Sequence, residues 1–113
     1  MPSKVDLVNA YFAAWNAHDA DAVKALHSPQ STLKDWDAAH GPTNADVAKG
    51  IAGIWTAVPA IKIEVVNVFE CGDEPTCVAN IKVIVDPETT LNVCDYFTFD
   101  SAGLVASIIA YKA

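Results

Sequence analysis

Positive charge is scarce in this chain. Its 113 residues hold 7 lysines and arginines against 14 aspartates and glutamates, a formal net charge of −7. Nucleic acid and anionic membrane surfaces would be repelled, so neither is an expected partner. Long apolar runs are missing as well, since none approaches the ~20 residues of a membrane span. The opening MPSKVDLV lacks the apolar core of a secretory signal, and the expected location is the cytoplasm. There is no glycine-rich nucleotide loop and no dense metal-ligand spacing, so no cofactor and no metal are expected. The three cysteines cannot all pair with one another. Cys71 and Cys77 flank a turn and could face each other across a hairpin, but reduced thiols are the expectation for a cytosolic protein.

Apolar residues, in contrast, make up 52% of the chain and charged ones 19%, which argues for one folded domain, 1–113, with a real core. Ser3 and Asp6 form a capping box that opens a helix near residue 4. Val5, Val8, Phe12 and Trp15 recur at helical spacing, with Tyr11 beside that stripe. Asn16 to His18 interrupts it. Asp19 caps a second helix expected through about His27 and ended by Pro29. A strand is expected over 31–36 and a loop over 37–42. Thr43 and Asp46 open a third helix carrying Val47, Ile51, Ile54 and Trp55, with Pro59 at its end.

After Pro59 the pattern alternates. Strands are expected over 60–71, 76–85, 90–100 and 104–111, joined by turn-forming sequences and paired as an antiparallel meander. The layout is α+β, with helices on one face of the sheet. In the first of these strands Ile61, Ile63, Val65 and Phe69 oppose Lys62, Glu64, Val66 and Val68. In the last, Val105 and Ile109 oppose Leu104 and Ile108. Both faces are apolar enough that the uncovered one implies a homodimer through the sheet.

The stretches YFAAWNAHDADAVKALHSPQSTLKD and CDYFTFDSAGLV carry a resemblance that covers essentially the whole chain. The chain resembles the nuclear-transport-factor-2-like superfamily, in its branch of ketosteroid isomerases and SnoaL-like polyketide cyclases. That resemblance implies a cone-shaped, cystatin-like fold in which a curved antiparallel sheet wraps the N-terminal helices around a hydrophobic pocket. It also implies three roles. Tyr11 matches the family's oxyanion-donating tyrosine, Asp35 its general base, and Asp95, two residues before Phe97, its second, protonated donor. Trp36 stands where the family has proline after the base, and Ile51 and Ala52 replace pocket tyrosines. Those departures bear on the steroid more than on the acid–base chemistry.

Proton removal beside a carbonyl needs a base and donors aimed at the forming enolate oxygen. Asp35 would move the proton, while Tyr11 and a neutral Asp95 would bind the oxygen. Each has a plainer alternative. Tyr11 packs in the core with its hydroxyl on a backbone carbonyl, Asp35 holds the backbone of the following loop, or Asp95 pairs outward with a lysine. Asp95 is the strongest signal, because an aspartate inside an apolar strand needs a reason. Trp15, His27, Trp36, Ile51, Trp55 and Phe97 are the candidate pocket lining, with His27 at the mouth. His40 beside Asp37 is a weaker acid–base candidate, and His18 belongs to a turn. The expected ligand is a small hydrophobic carbonyl compound, handled by an isomerase- or cyclase-like enzyme. The alternative is a binding or dimerisation module of the same fold.

Overall fold

In the computed structural model, which describes residues 2–113, Ser3 caps the first helix by accepting from the Asp6 N–H at 3.1 Å. Helix α1 runs Lys4–Asn16 and buries Val8, Tyr11, Phe12 and Trp15. Asn16 ends it by clasping the main chain of Ile63: Nδ2 donates to the carbonyl and Oδ1 accepts from the N–H, both at 2.7 Å. His18 follows in left-handed backbone, φ 52°. Asp19 accepts from the Ala22 N–H at 3.0 Å and caps α2, Ala20–Leu26.

The second helix stops earlier than its apolar spacing predicts. His27 already opens strand β1, His27–Lys34, with Pro29 inside it. Proline is tolerated there because the pairing of β1 slips between His27 and Thr32, so the missing N–H interrupts no regular ladder. The expected strand over 31–36 is thus displaced toward the N-terminus, and Asp35 and Trp36 lie just past its end. The loop expected over 37–42 contains a two-residue strand, β2, Ala39–His40, paired with Leu33 and Lys34. Helix α3 runs Asn44–Ala57, capped by Thr43 accepting from the Asp46 N–H.

The meander then follows as β3 Lys62–Glu70, β4 Thr76–Asp86, β5 Thr89–Phe99 and β6 Val105–Lys112. The six strands form one curved, unclosed sheet in the order β2-β1-β6-β5-β4-β3, with β1 parallel to β6. Helix α1 packs on β3 and β4, and α3 on β1 and α2, so the core lies between the helices and one sheet face.

Two bulges change which side chains face that core. In β3 the pairing slips between Val65 and Asn67, which sends Val68 inward and leaves Phe69 outside, 55% exposed. In β6 it slips opposite Thr98 and Phe99, so Val105 and Ile108 both point inward. The simple alternation expected for these strands placed Phe69 with Ile63 and put Val105 opposite Ile108. One extra residue in each strand reverses the phase beyond it.

No helix among the described residues is long and apolar enough to cross a membrane. Cys71, Cys77 and Cys94 are free thiols, and Cys77 faces Glu70 across the hairpin rather than Cys71.

Candidate functional site

Asp95 points into the core from the middle of β5, in line with the buried Val93, Phe97 and Phe99. Its direct cross-strand neighbours are both alanines, Ala79 on β4 and Ala110 on β6. Two short side chains leave room for the carboxyl without giving it a polar partner. Burial is the main cause, and the nearby Asp35 carboxylate the second, that raises its pKa from 3.8 to about 7. Its side chain faces inward, so the outward salt bridge weighed from the sequence is not the arrangement found.

Asp35 stands at the end of β1, half-buried. Its Oδ1 accepts from the Asp37 and Ala38 N–H groups, both at 2.7 Å, so it does hold the loop backbone. It also forms part of the wall of a cavity of about 160 Å³. Its apolar lining includes Trp15, Trp36, Ile51, Ile54, Leu91 and Ala110. A shallower groove of about 450 Å³ on the outside shares Asp35, Trp36 and Ala110 with that cavity. These residues therefore form its sill, where Lys112 Nζ lies 5.3 Å from the centre of the Trp36 ring. A larger concavity, about 480 Å³, lies away from the helices along Val66, Asn80, Lys82 and Tyr111, and brings no acid–base pair together.

Tyr11 is buried and is not among the residues that line the cavity. Its ring is held edge-on by Phe12, Phe97 and His27 at 5.3–5.7 Å between centroids. Its hydroxyl lies 2.9 Å from His27 Nε2 rather than on a backbone carbonyl. Burial first, and the Asp95 charge second, push that hydroxyl well above its ordinary pKa. His27 is itself fully buried, and burial lowers its pKa from 6.5 to about 4. The position expected at the pocket mouth is thus an interior one, because His27 begins a strand instead of ending a helix. No short-range spacing couples residues 11 and 27, which is why their pairing escapes a reading of the sequence.

The remaining candidates separate by layer. Trp15, Trp36 and Ile51 line the cavity. Phe97 is packed around Tyr11, and Trp55 lies one ring behind Trp15, stacked on His18 at 4.9 Å. His18 Nε2 also meets the Ile61 carbonyl at 3.0 Å, which gives it a structural task. His40 packs against α3: a side-chain carbon added at Gly50 would lie 2.5 Å from its ring. Among the described residues no cluster of three or more His, Cys, Asp or Glu is placed to hold a metal ion.

The SnoaL-like domain family matches the sequence over residues 8–108. The chain belongs to that family. Solved structures carry the same fold across the whole SnoaL-like chain. A cystatin-fold protein from Novosphingobium aromaticivorans superposes with a TM-score of 0.85 at 14% identity, over 97% of this chain and 98% of its own. A proposed polyketide cyclase from Sinorhizobium meliloti gives 0.81 at 22% identity, over 97% and 94%. A proposed isomerase of the SnoaL-like family from Agrobacterium tumefaciens gives 0.82 at 13%, over 97% of both chains. At such identities the likeness establishes the nuclear-transport-factor-2-like, ketosteroid-isomerase-like fold. No curated protein matches the sequence.

Proposed function

We propose that this SnoaL-like domain binds a small hydrophobic carbonyl compound and enolises it without a cofactor. Asp35 removes and returns the proton; the neutral Asp95 carboxyl and the Tyr11 hydroxyl lie outside the cavity lining and bind the enolate oxygen once the ligand parts the wall at Ala110. The observation that carries this reading is the contrast between two neighbouring carboxyls. Asp35 sits at an opening to solvent, whereas Asp95 is buried and holds its proton up to about pH 7. Such a contrast in burial suits the exposed group to act as base and the buried one as donor. Ala110, part of the cavity wall, is the cross-strand neighbour of Asp95. A cavity of 160 Å³ suits a ligand of one small ring. The cyclase and isomerase designations of two structural neighbours fit the same kind of reaction.

The test is exchange of α-hydrogens of small cyclic ketones in deuterated water, followed by NMR. The wild type is expected to exchange them. Asp35→Asn is expected to lower the rate roughly 10²- to 10⁴-fold, because the base is lost. Its amide oxygen still accepts from Asp37 and Ala38, so the thermal midpoint should stay in place. Undiminished exchange in Asp35→Asn removes Asp35 as the base.

One observation favours a second reading, a binding pocket without chemistry: Asp35 and Tyr11 both already have partners, in the loop backbone and His27. Calorimetry separates the two. A pure binding site takes up the ketone equally well in wild type and Asp35→Asn, and neither exchanges it. We further propose that the outward sheet face pairs with a second copy of the chain.

A further inference from the structure

The chain's 7 basic residues are all lysines, and most of them have a carbonyl or a carboxylate to face. Lys4 Nζ donates to the Gly72 and Glu74 carbonyls at 2.9 and 2.6 Å, and Lys62 Nζ to the Asn16 carbonyl at 2.6 Å. Lys24 and Lys49 each stand one helical turn after an aspartate, Asp21 and Asp46. Lys82 is paired across the sheet with Glu64. Lys34 and Lys112 are placed differently. The strand neighbours of Lys34 are Ile109 and Ala39, and that of Lys112 is Val93. Both line the groove of about 450 Å³ that shares Asp35, Trp36 and Ala110 with the cavity, and the Lys112 ammonium rests over the Trp36 ring. Asp35 is the one carboxylate among the described residues that line this groove, and its Oδ1 already accepts from two loop N–H groups. The lining thus carries more positive than negative charge, in a chain whose net charge is −7.

We propose that the ligand is a keto acid, whose ketone-bearing ring enters the cavity while its carboxylate stays in the groove on Lys34 and Lys112. Cations at the rim of an apolar cavity draw anions toward it and give a docked carboxylate charge-assisted hydrogen bonds. All the lining residues of the groove come from the ends of β1 and β6 or the two positions after β1, so no helix N-terminus contributes. The chain also has no arginine. Without either of these phosphate-binding devices, two lysine point charges suit a carboxylate. Held by its outer end, the ligand turns its carbonyl inward, toward the wall at Ala110, and passes its α-carbon beside Asp35. The turnover of such a ligand rests on the enolisation reading; its binding does not.

Calorimetry on the full chain tests this with two probes: cyclohexanone carrying a carboxylate on the ring carbon opposite the carbonyl, and the methyl ester of that acid. The acid is expected to bind roughly 10-fold more tightly at low ionic strength, since two exposed ion pairs contribute a few-fold each. That preference should fade in about 0.5 M salt. Lys34→Gln with Lys112→Gln is expected to bring the acid down to the affinity of the ester and to leave the ester unchanged. Lys24→Gln with Lys49→Gln removes as much charge outside the groove and should keep the preference for the acid. Equal binding of acid and ester, no binding of the acid, or an equal loss in the second pair of variants overturns the proposal. If the lysine-dependent preference holds and neither compound exchanges its α-hydrogens, the enolisation reading fails while the carboxylate site stands. If both compounds exchange equally fast and bind equally well, enolisation stands and the carboxylate site falls.

Discussion

A carboxyl flanked by two alanines and backed by phenylalanines costs stability whenever it ionises, and this gives Asp95 a signature in pH. Its folded pKa, about 7, is above the unfolded value near 3.8. The folded state therefore binds the proton more tightly, and the stabilisation, full below about pH 4, is lost as pH rises through 7. The difference corresponds to roughly 4 kcal/mol as an upper bound. His27 acts in the opposite sense. Its folded pKa of about 4 is below the ordinary 6.5, so its contribution is present above pH 6.5 and lost as pH falls toward 4. The two slopes oppose each other between about pH 4 and 6.5. Asp95→Asn removes one of them, so urea unfolding should show the variant gaining on the wild type as pH rises from 4.5 to 7.5. A difference that does not change with pH contradicts the burial argument. Asp95 is legible in the sequence, since an aspartate between Val93 and Phe97 has few innocent explanations. Its partners are less so: Ala79 and Ala110 acquire meaning only once the strands are in register.

Among the secondary-structure elements, local chemistry was readable and long-range pairing was not. Ser3, Asp19 and Thr43 cap the helices their positions predict, because capping involves residues only three apart. Asn16 marks a break from the sequence alone, but its task, clamping the end of α1 to Ile63, spans 47 positions. Asn16→Ala should destabilise the protein by about 2 kcal/mol through two lost, partly buried hydrogen bonds. Asn16→Asp, which keeps the acceptor but turns a carboxylate oxygen toward the Ile63 carbonyl at a helix C-terminus, should cost at least as much. Equal urea midpoints for all three proteins contradict this role. The bulges near Val66 and Ala106 leave no mark in composition, which explains the misplaced Phe69 and Val105. The parallel pairing of β1 with β6 joins segments more than seventy residues apart and is equally silent.

At the scale of the whole molecule, the outward sheet face carries a row of apolar side chains across four strands. Phe69 faces Val78, Val78 faces Tyr96, and Tyr96 faces Ile109. Tyr111 beside it is 60% exposed. Such a row fits a self-complementary dimer contact. Sedimentation is expected to show a dimer at micromolar concentration, and Phe69→Glu with Tyr111→Glu a folded monomer. A wild-type monomer at every concentration contradicts the contact. The sheet places this face on one side and the cavity on the other, with Asp95 between Ala79 and Ala110 on the cavity side. Enolisation requires that one buried carboxyl to be neutral near Asp35, and ¹³C NMR titration of the aspartate carboxyls measures this directly. The Asp95 resonance is expected to titrate near pH 7, and Asp35→Asn to lower its midpoint by removing the neighbouring charge. A midpoint near 4, or one indifferent to Asp35→Asn, would contradict it.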